Sequence, residues 1–183
     1  MENGKNNIMA DNYIGIDPDV EKNGVALVER KTKKLEVTTL TFSELMDYIS
    51  FIKRVSERDN FTYMVVIEAG WLNKSNWHLH RGFSIAKAAE VGRATGRNHQ
   101  TGILIAEMCD YLGVPYVLRK PLRKVWHGKD GKITAKELSV FTGLSGRTNQ
   151  EGRDAALLAW CEAGLPIKIS PSKKITEKQV LTL

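Results

Sequence analysis

The chain has 183 residues, 42% of them hydrophobic and 26% charged, which is typical of a single globular domain with a sizeable core. No apolar run reaches the roughly 18 residues that a membrane span needs. The N-terminal residues also lack the charged-then-apolar order of a signal peptide. Cys109 and Cys161 are too few for a disulfide framework and lack metal-type spacing, so we expect a cytoplasmic protein with reduced cysteines.

The net charge of +6 is concentrated in one segment. Residues 119–153 contain nine basic and three acidic residues, a difference equal to the net charge of the whole chain. Such a segment indicates a polyanionic partner, although a solvated basic surface has the same composition. The basic residues are Arg119, Lys120, Arg123, Lys124, Lys129, Lys132, Lys136, Arg147 and Arg153.

The first part of the chain predicts a three-stranded meander. After residues 1–11, which we expect to be disordered, strands are predicted over residues 12–17, 24–30 and 34–40. The Asn23-Gly24 pair predicts the hairpin turn between the first two strands, because both residue types tolerate positive φ.

A helix and a buried strand follow the meander. Apolar residues recur at helical spacing over residues 44–57, and Ser43 is a candidate N-cap. The run Tyr63-Met64-Val65-Val66-Ile67 is apolar throughout, which favours a strand covered on both faces. A long helix is predicted over residues 83–112, with close packing or a break near Gly92 and Gly96, because glycine weakens a helix interior.

The remaining elements complete an alternating pattern. A strand is predicted over residues 115–118, a helix opened by the Thr134-x-x-Glu137 capping box runs to about 142, and a last helix covers 150–163. A meander followed by helix, strand, helix, strand and helix is the order of the ribonuclease H-like fold. We therefore predict one domain over residues 12–164, with a mixed five-stranded sheet flanked by helices, and a basic C-terminal tail over 165–183.

Four carboxylates stand where this fold would bring them together. Asp17 ends the first strand, Glu68 ends the buried strand, and Glu151 and Asp154 lie three residues apart at the start of the last helix. Active-site groups of open α/β folds gather at such strand ends. Each acid alone has a structural explanation, either as a strand-end turn residue or as a favourable charge at a helix N-terminus.

A cluster of carboxylates indicates metal chemistry. Acids held together repel and raise one another's pKa, and divalent cations relieve that repulsion. Oxygen ligands suit Mg²⁺, and Mn²⁺ can replace it. Two such ions about 3.5–4 Å apart activate water and stabilise the leaving oxygen in phosphodiester hydrolysis. An acidic centre in a basic chain therefore predicts a nuclease.

The combination of motifs resembles the RuvC-type Holliday-junction resolvases. The resemblance rests on Gly-Ile-Asp-Pro at 15–18, Gly-Val-Ala at 24–26, Glu68, and Glu-x-x-Asp-Ala-Ala at 151–156. It implies a homodimer that cuts a four-way DNA junction symmetrically with two Mg²⁺ ions per active site. The metal ligands that it implies are Asp17, Glu68, Glu151 and Asp154.

The resemblance also implies further roles and shows departures. Lys124 and Lys136 lie where such resolvases carry lysines near the scissile phosphate. Asp19 stands where the family pattern favours glycine, and Glu151 stands where aspartate is common. We place the dimer interface on the long helix, where Gly92 and Gly96 would permit close approach.

Candidate DNA contacts surround these acids. The loop over residues 69–82 follows Glu68 directly, and its Trp71 or Trp77 could stack on an unpaired base. A structural anchor on the core is the alternative for each tryptophan. The basic residues expected to contact phosphates are Lys74, Arg81, Arg93, Arg97, Arg119, Lys120, Arg123, Lys129 and Lys132.

Three other functions remain open at the level of the sequence. A ribonuclease H-like nuclease acting on structured RNA or an RNA–DNA hybrid would carry the same first motif. The Gly-Ile-Asp strand with its later glycine also opens the phosphate-binding hairpin of actin-like ATPases, although those need a second similar domain. A binding module that kept the fold and lost catalysis is the third, and the full set of four acids argues against it.

Overall fold

The structure is a computed structural model, and it describes residues 9–73 and 82–168. It contains five strands and four α-helices within those ranges. The strands are β1 Asn12–Asp17, β2 Asn23–Glu29, β3 Lys34–Leu40, β4 Tyr63–Glu68 and β5 Tyr116–Arg119. The helices are α1 Phe42–Asp59, α2 Ile85–Leu112, α3 Ala135–Thr142 and α4 Gln150–Glu162, with short 3-10 turns at Gly70–Leu72 and Lys129–Gly131.

The strands form one mixed sheet in the order β3-β2-β1-β4-β5. The meander β1, β2 and β3 is antiparallel, whereas β4 runs parallel to β1 and β5 runs parallel to β4. This arrangement confirms the predicted ribonuclease H-like fold class. The two central strands, β1 and β4, are those that end in Asp17 and Glu68.

Helices cover both faces of the sheet and divide the core in two. On one face α4 packs against the sheet and α3 packs against α4, with Trp160 and Leu158 almost completely buried. On the other face α1 and α2 bury Leu45, Ile49 and Ile105. The strands supply both cores because successive side chains of a strand point to opposite faces. None of the helices in the described ranges is long and apolar enough to cross a membrane.

The predicted Asn23-Gly24 turn is wrong. Both residues belong to β2, opposite Leu40 and Thr39 of β3, and the connection from β1 runs through residues 18–22. The buried Asn23 side chain accepts a hydrogen bond from the Asp19 N–H (3.1 Å) and donates one to the Leu40 carbonyl (3.2 Å). Asn23 therefore fixes the connection by side-chain hydrogen bonds rather than by a turn conformation of its own.

Two predictions about helices are also wrong. Thr41, not Ser43, caps α1, because its hydroxyl accepts from the Glu44 N–H while the Glu44 carboxylate accepts from the Thr41 N–H (2.8 Å). Helix α2 continues without a break through Gly92 and Gly96, and among the described residues nothing lies within 4 Å of the position of a Cβ on either glycine. The capping box of Thr134 and Glu137 at α3 is confirmed.

The ordered chain extends beyond the predicted domain at both ends. Ala10 is buried, and the Asp11 carboxylate accepts hydrogen bonds from the N–H and hydroxyl of Thr62, both 2.7 Å. Leu165, assigned by the sequence to the C-terminal tail, belongs to the core beside α4. Residues 1–8 and 169–183, which hold the rest of the two predicted tails, lie outside the described residues.

Candidate active site

Strand geometry places Asp17 and Glu68 side by side on the α4 face of the sheet. In the parallel pairing of β1 with β4, Ile16 is opposite Ile67. The residues that follow them, Asp17 and Glu68, are therefore next to each other at the ends of the two strands. Ile16 and Ile67 point into the core beneath α1 and α2. Because strand side chains alternate, the acids that follow them point to the opposite face.

Helix α4 carries the third carboxylate, Asp154, and two glycines on the strands allow the helix to pack closely against the sheet. A Cβ on Gly15 would overlap the carbonyl oxygen of Ala155, and a Cβ on Gly24 would overlap that of Glu151. The first turns of α4 therefore rest directly on the backbone of β1 and β2. The Asn149 side chain caps this end by accepting from the Gly152 N–H (3.0 Å).

The three acids interact electrostatically, as the raised pKa values of Asp17 and Glu68 show. Burial raises the pKa of Asp17 well above its usual range, and the charges of Glu68 and Asp154 raise it further. Burial, followed by the charge of Asp154, raises the pKa of Glu68 to about 7. Glu151 acts on Asp17 more weakly than the other acids do. The structure thus brings Asp17, Glu68 and Asp154 together, with Glu151 beside them.

A lysine sits among these acids. Lys132 Nζ lies 2.9 Å from Asp154 Oδ2, and Gln150 Nε2 donates to Asp154 Oδ1 at 2.7 Å. Burial acts to lower the pKa of Lys132, but its attraction to Asp154 and the other acids outweighs burial and raises that pKa. The charge of Lys124 also lowers the pKa of Glu68, so Lys124 lies on the same side of the site.

The donor set suits a hard divalent cation, although its side chains are not arranged around one. Within residues 9–73 and 82–168, no group of three or more His, Cys, Asp or Glu side chains is positioned to hold a metal ion as it stands. Asp17, Glu68 and Asp154 nevertheless offer only carboxylate oxygens, the ligands preferred by Mg²⁺ and Mn²⁺. Lys132 is the cation that contacts this set in the structure.

Helix α2 holds the segments that follow both strand-end acids. After Asp17, Asn98 donates to Asp19 Oδ2 (3.0 Å) and accepts from the Val20 N–H (3.2 Å). The other oxygen of Asp19 accepts from the Glu21 N–H (2.9 Å), so Asp19 shapes this connection. The residue that departs from the family pattern is thus a turn residue tied to α2.

After Glu68, the chain packs on the same helix. Gly70 lies against the ring of His99, and the half-buried ring of Trp71 lies against Gly102 and makes an edge contact with His99 at 6.3 Å between centroids. In this position Trp71 anchors the segment to α2, which is the structural alternative considered for it.

The other predicted contact residues are distributed differently. Arg119 makes a two-pronged ion pair with Glu162 of α4, at 2.6 and 2.7 Å, so its guanidinium is already engaged. Lys136 is exposed on α3, whereas Lys132 and Lys124 are the bases that act on the carboxylates. The remaining described bases are exposed, on α2 or in the segment between β5 and α3: Arg93, Arg97, Lys120, Arg123 and Lys129. Lys74, Trp77 and Arg81 lie outside the described residues.

Sequence reasoning missed two polar residues that shape the site, Gln150 and Asn98, and it missed a second role of the capping residue Glu137. Gln150 orients Asp154, and its position four residues earlier on α4 was a usable signal. Glu137 holds His127 by accepting from its N–H (3.1 Å) and contacting Nδ1 (2.7 Å). No local pattern singled out Asn98, because its partners are 78 and 79 residues away in the chain.

Comparison with known proteins leaves the activity to be argued from these residues. No protein-family model matches the chain, and no curated protein matches it. Among solved structures, RuvC from T. thermophilus in complex with a Holliday junction substrate is similar, with 18% sequence identity and a TM-score of 0.43. The similarity covers 81% of this chain and 89% of that chain.

Proposed function

We propose that this protein is a divalent-metal-dependent endonuclease that cuts branched DNA, with the four-way junction as its substrate. The observation that carries the proposal is the meeting of Asp17, Glu68 and Asp154 at one edge of the sheet beside a basic segment. Carboxyl groups such as Asp17 and Glu68, whose pKa values are raised by burial and by neighbouring acids at a strand-end edge, are typical of a functional site. The basic residues nearby supply the affinity for a polyanion.

The acids hold the ions in this proposal. Asp17, Glu68 and Asp154, with Glu151 beside them, would bind two Mg²⁺ ions, which when bound activate water and stabilise the leaving oxygen of the phosphodiester. Gln150 keeps Asp154 in one orientation through its 2.7 Å hydrogen bond. Lys124, which is exposed and whose charge acts on Glu68, would contact the phosphate that is cut.

The DNA would lie along the exposed bases. Lys120, Arg123, Lys124 and Lys129 are exposed between β5 and α3, in the chain segment that ends at the ion pair of Lys132. Each phosphate contact should add about 0.9 to the slope of log affinity against log salt on duplex DNA. We therefore expect steep salt dependence of junction binding.

The protein would act as a homodimer through α2. The buried residues of this helix all lie in its C-terminal half, from Gly102 onward. In its N-terminal half Ile85 is 92% exposed, and Ile103 and Leu104 in its C-terminal half are about 40% exposed. An apolar surface on a long exposed helix suits a self-complementary interface of two-fold symmetry. Two active sites related by that symmetry would cut two strands of a junction.

The test is cleavage of a substrate panel with Mg²⁺. The panel contains a synthetic four-way junction, a flap, a linear duplex, an RNA–DNA hybrid and a structured RNA. We expect cleavage of the junction above all others and none in a chelator. Preferred cleavage of the hybrid or the RNA would replace the DNA substrate with the ribonuclease alternative.

Substitutions assign the activity to the site. Asp17→Asn and Glu68→Gln should still bind the junction. Their cleavage rate should fall by more than 100-fold, because the loss of a residue that only hydrogen-bonds to a metal ligand already costs roughly 10–100-fold in activity. Asp47→Asn is the matched control, because Asp47 is an exposed acid on α1. Junction cutting at the wild-type rate by either site variant would remove the proposal.

A further inference from the structure

We propose that Lys132 is an internal counter-ion of the acidic site. Its ammonium neutralises the carboxylates while no metal ion is bound, and it moves away from them when metal and DNA arrive. Metal loading is thereby coupled to substrate binding. The inference rests on the proposed function, because it concerns how the same acids come to bind their ions.

The contacts of Asp154 carry this inference. Its Oδ1 accepts from Gln150 at 2.7 Å and its Oδ2 is 2.9 Å from Lys132 Nζ, so both oxygens are engaged. A metal ion can use Oδ2 only by sharing it with an ammonium or by displacing that ammonium. Two cations at one carboxylate oxygen repel each other, so displacement is favoured.

The surroundings of Lys132 point the same way. Its side chain is 35% exposed and that of Asp154 is 17% exposed, so the pair is largely shielded from water. Lysine is seldom buried unless it is paired, and acids brought together need a compensating charge. Lys132 supplies that charge at the site, and Asp17 and Glu68 act on it as Asp154 does.

Backbone hydrogen bonds hold the loop that carries Lys132, while the partly exposed Lys132 side chain is free to change its rotamer. The Gly128 N–H donates to the Lys132 carbonyl and the Trp126 N–H donates to the Gly131 carbonyl, both at 3.0 Å. A lysine has a flexible four-carbon stem, so its ammonium can move while the backbone stays in place. The exposed Lys129 on the same loop would bring a DNA phosphate close to the displaced ammonium.

The consequence is reciprocal coupling between two ligands. A phosphate that draws Lys132 away frees the acids for metal, and a metal that expels Lys132 frees it for phosphate. By thermodynamic linkage, each ligand then raises the affinity for the other by the same factor. The free protein should therefore bind divalent cations weakly, which limits metal-dependent chemistry in the absence of DNA.

The test is a calorimetric titration of the DNA-free protein with Mn²⁺. Lys132→Met should bind Mn²⁺ about tenfold more tightly or better, because removal of the ammonium removes its repulsion of the ion. Lys132→Arg keeps the charge and should bind as weakly as the wild type. Lys31→Met is the matched control, since Lys31 is exposed in the turn between β2 and β3, and it should leave Mn²⁺ affinity unchanged.

Thermal unfolding provides a second measurement and guards against a variant that folds poorly. In a chelator, Lys132→Met and the milder Lys132→Gln should unfold at lower temperature than the wild type, and Mn²⁺ should stabilise them more than it stabilises the wild type. Mn²⁺ binding by Lys132→Met and Lys132→Gln that is equal to or weaker than the binding by the wild type overturns this inference alone. Absence of Mn²⁺ binding in every protein overturns it together with the proposed function.

Discussion

Gly15 of β1 and Ala155 of α4 touch through their backbones, at a place where a Cβ on Gly15 would overlap the Ala155 carbonyl oxygen. Gly15 lies two residues before Asp17, and Ala155 directly follows Asp154. Strand and helix therefore touch close to the two carboxylates that they carry. A missing side chain at one position sets the distance between acids 137 residues apart in the sequence.

We expect Gly15→Ala to damage stability and cleavage together. The added methyl group would push α4 away from β1, and overpacking of this kind costs about 1–3 kcal/mol. Because Asp154 moves with α4, junction cleavage should fall more than junction binding. Urea unfolding and single-turnover cleavage measure the two effects. Gly82→Ala is the control, since a Cβ there has none of the described residues within 4 Å, and its stability should stay within about 0.5 kcal/mol of the wild type.

We expect Glu68→Gln to stabilise the metal-free protein at neutral and higher pH. The pKa of Glu68 is raised from 4.5 to about 7, so the folded state holds this proton more tightly than the unfolded chain does. The stability from that proton is present below pH 4.5 and is lost as the pH rises through about 7. Glutamine removes this loss, and a gain of about 1 kcal/mol would raise Tm by about 2–4 °C.

The measurement is the difference in Tm between Glu68→Gln and the wild type in a chelator, followed from pH 4 to 8. The difference should grow across the interval from 4.5 to about 7 and then level off. Saturating Mg²⁺ should shrink it, because the ions compensate the carboxylate charges. A difference independent of pH would contradict the raised pKa of Glu68.

We expect Asn98→Ala to slow cleavage while leaving junction binding intact. Asn98 holds the segment after Asp17 by accepting from the Val20 N–H and donating to Asp19, so its loss loosens the position of the Asp17 carboxylate. Removal of a group that orients a metal ligand typically costs 10–100-fold, at roughly unchanged substrate affinity. Gln100→Ala, an exposed change on the same helix, serves as the control. An equal loss of affinity and turnover would indicate that Asn98 contacts DNA instead.

We expect Glu137→Gln to destabilise the loop before α3. Burial acts to raise the pKa of Glu137, but hydrogen bonds from Thr134 and His127 outweigh burial and lower it. Each hydrogen bond to the charged carboxylate should contribute up to about 3 kcal/mol to the free energy of unfolding. The contribution is present above the ordinary pKa of 4.5 and is lost as the pH falls through the lowered value.

Urea unfolding at several pH values tests this prediction. The wild type should exceed Glu137→Gln in unfolding free energy at pH 7, and the two should converge in acid. Glu107→Gln, an exposed change on α2, should match the wild type throughout. A constant gap between Glu137→Gln and the wild type down to low pH would show that packing, not charge, gives Glu137 its effect.

The wrong turn at Asn23-Gly24 and the wrong cap of α1 have different origins. Asn23-Gly24 has the local preference of a tight turn, yet Gly24 is required because a Cβ there would overlap the Glu151 carbonyl. A contact with a residue far along the chain thus outweighed a local conformational preference. The cap of α1 was readable, since Thr41 and Glu44 form the Thr-x-x-Glu pair that also identified the start of α3.

Local sequence patterns were enough to predict the order of strands and helices, the buried faces, and the positions of Asp17 and Glu68 at strand ends. These follow from the two-residue period of strands and the spacing of apolar residues along helices, both of which are local. Only the tertiary structure decided which bases meet which acids. Lys132 pairs with Asp154 across 22 residues and Arg119 with Glu162 across 43. Such pairs depend on how α4 packs against the sheet, and no local pattern encodes that packing.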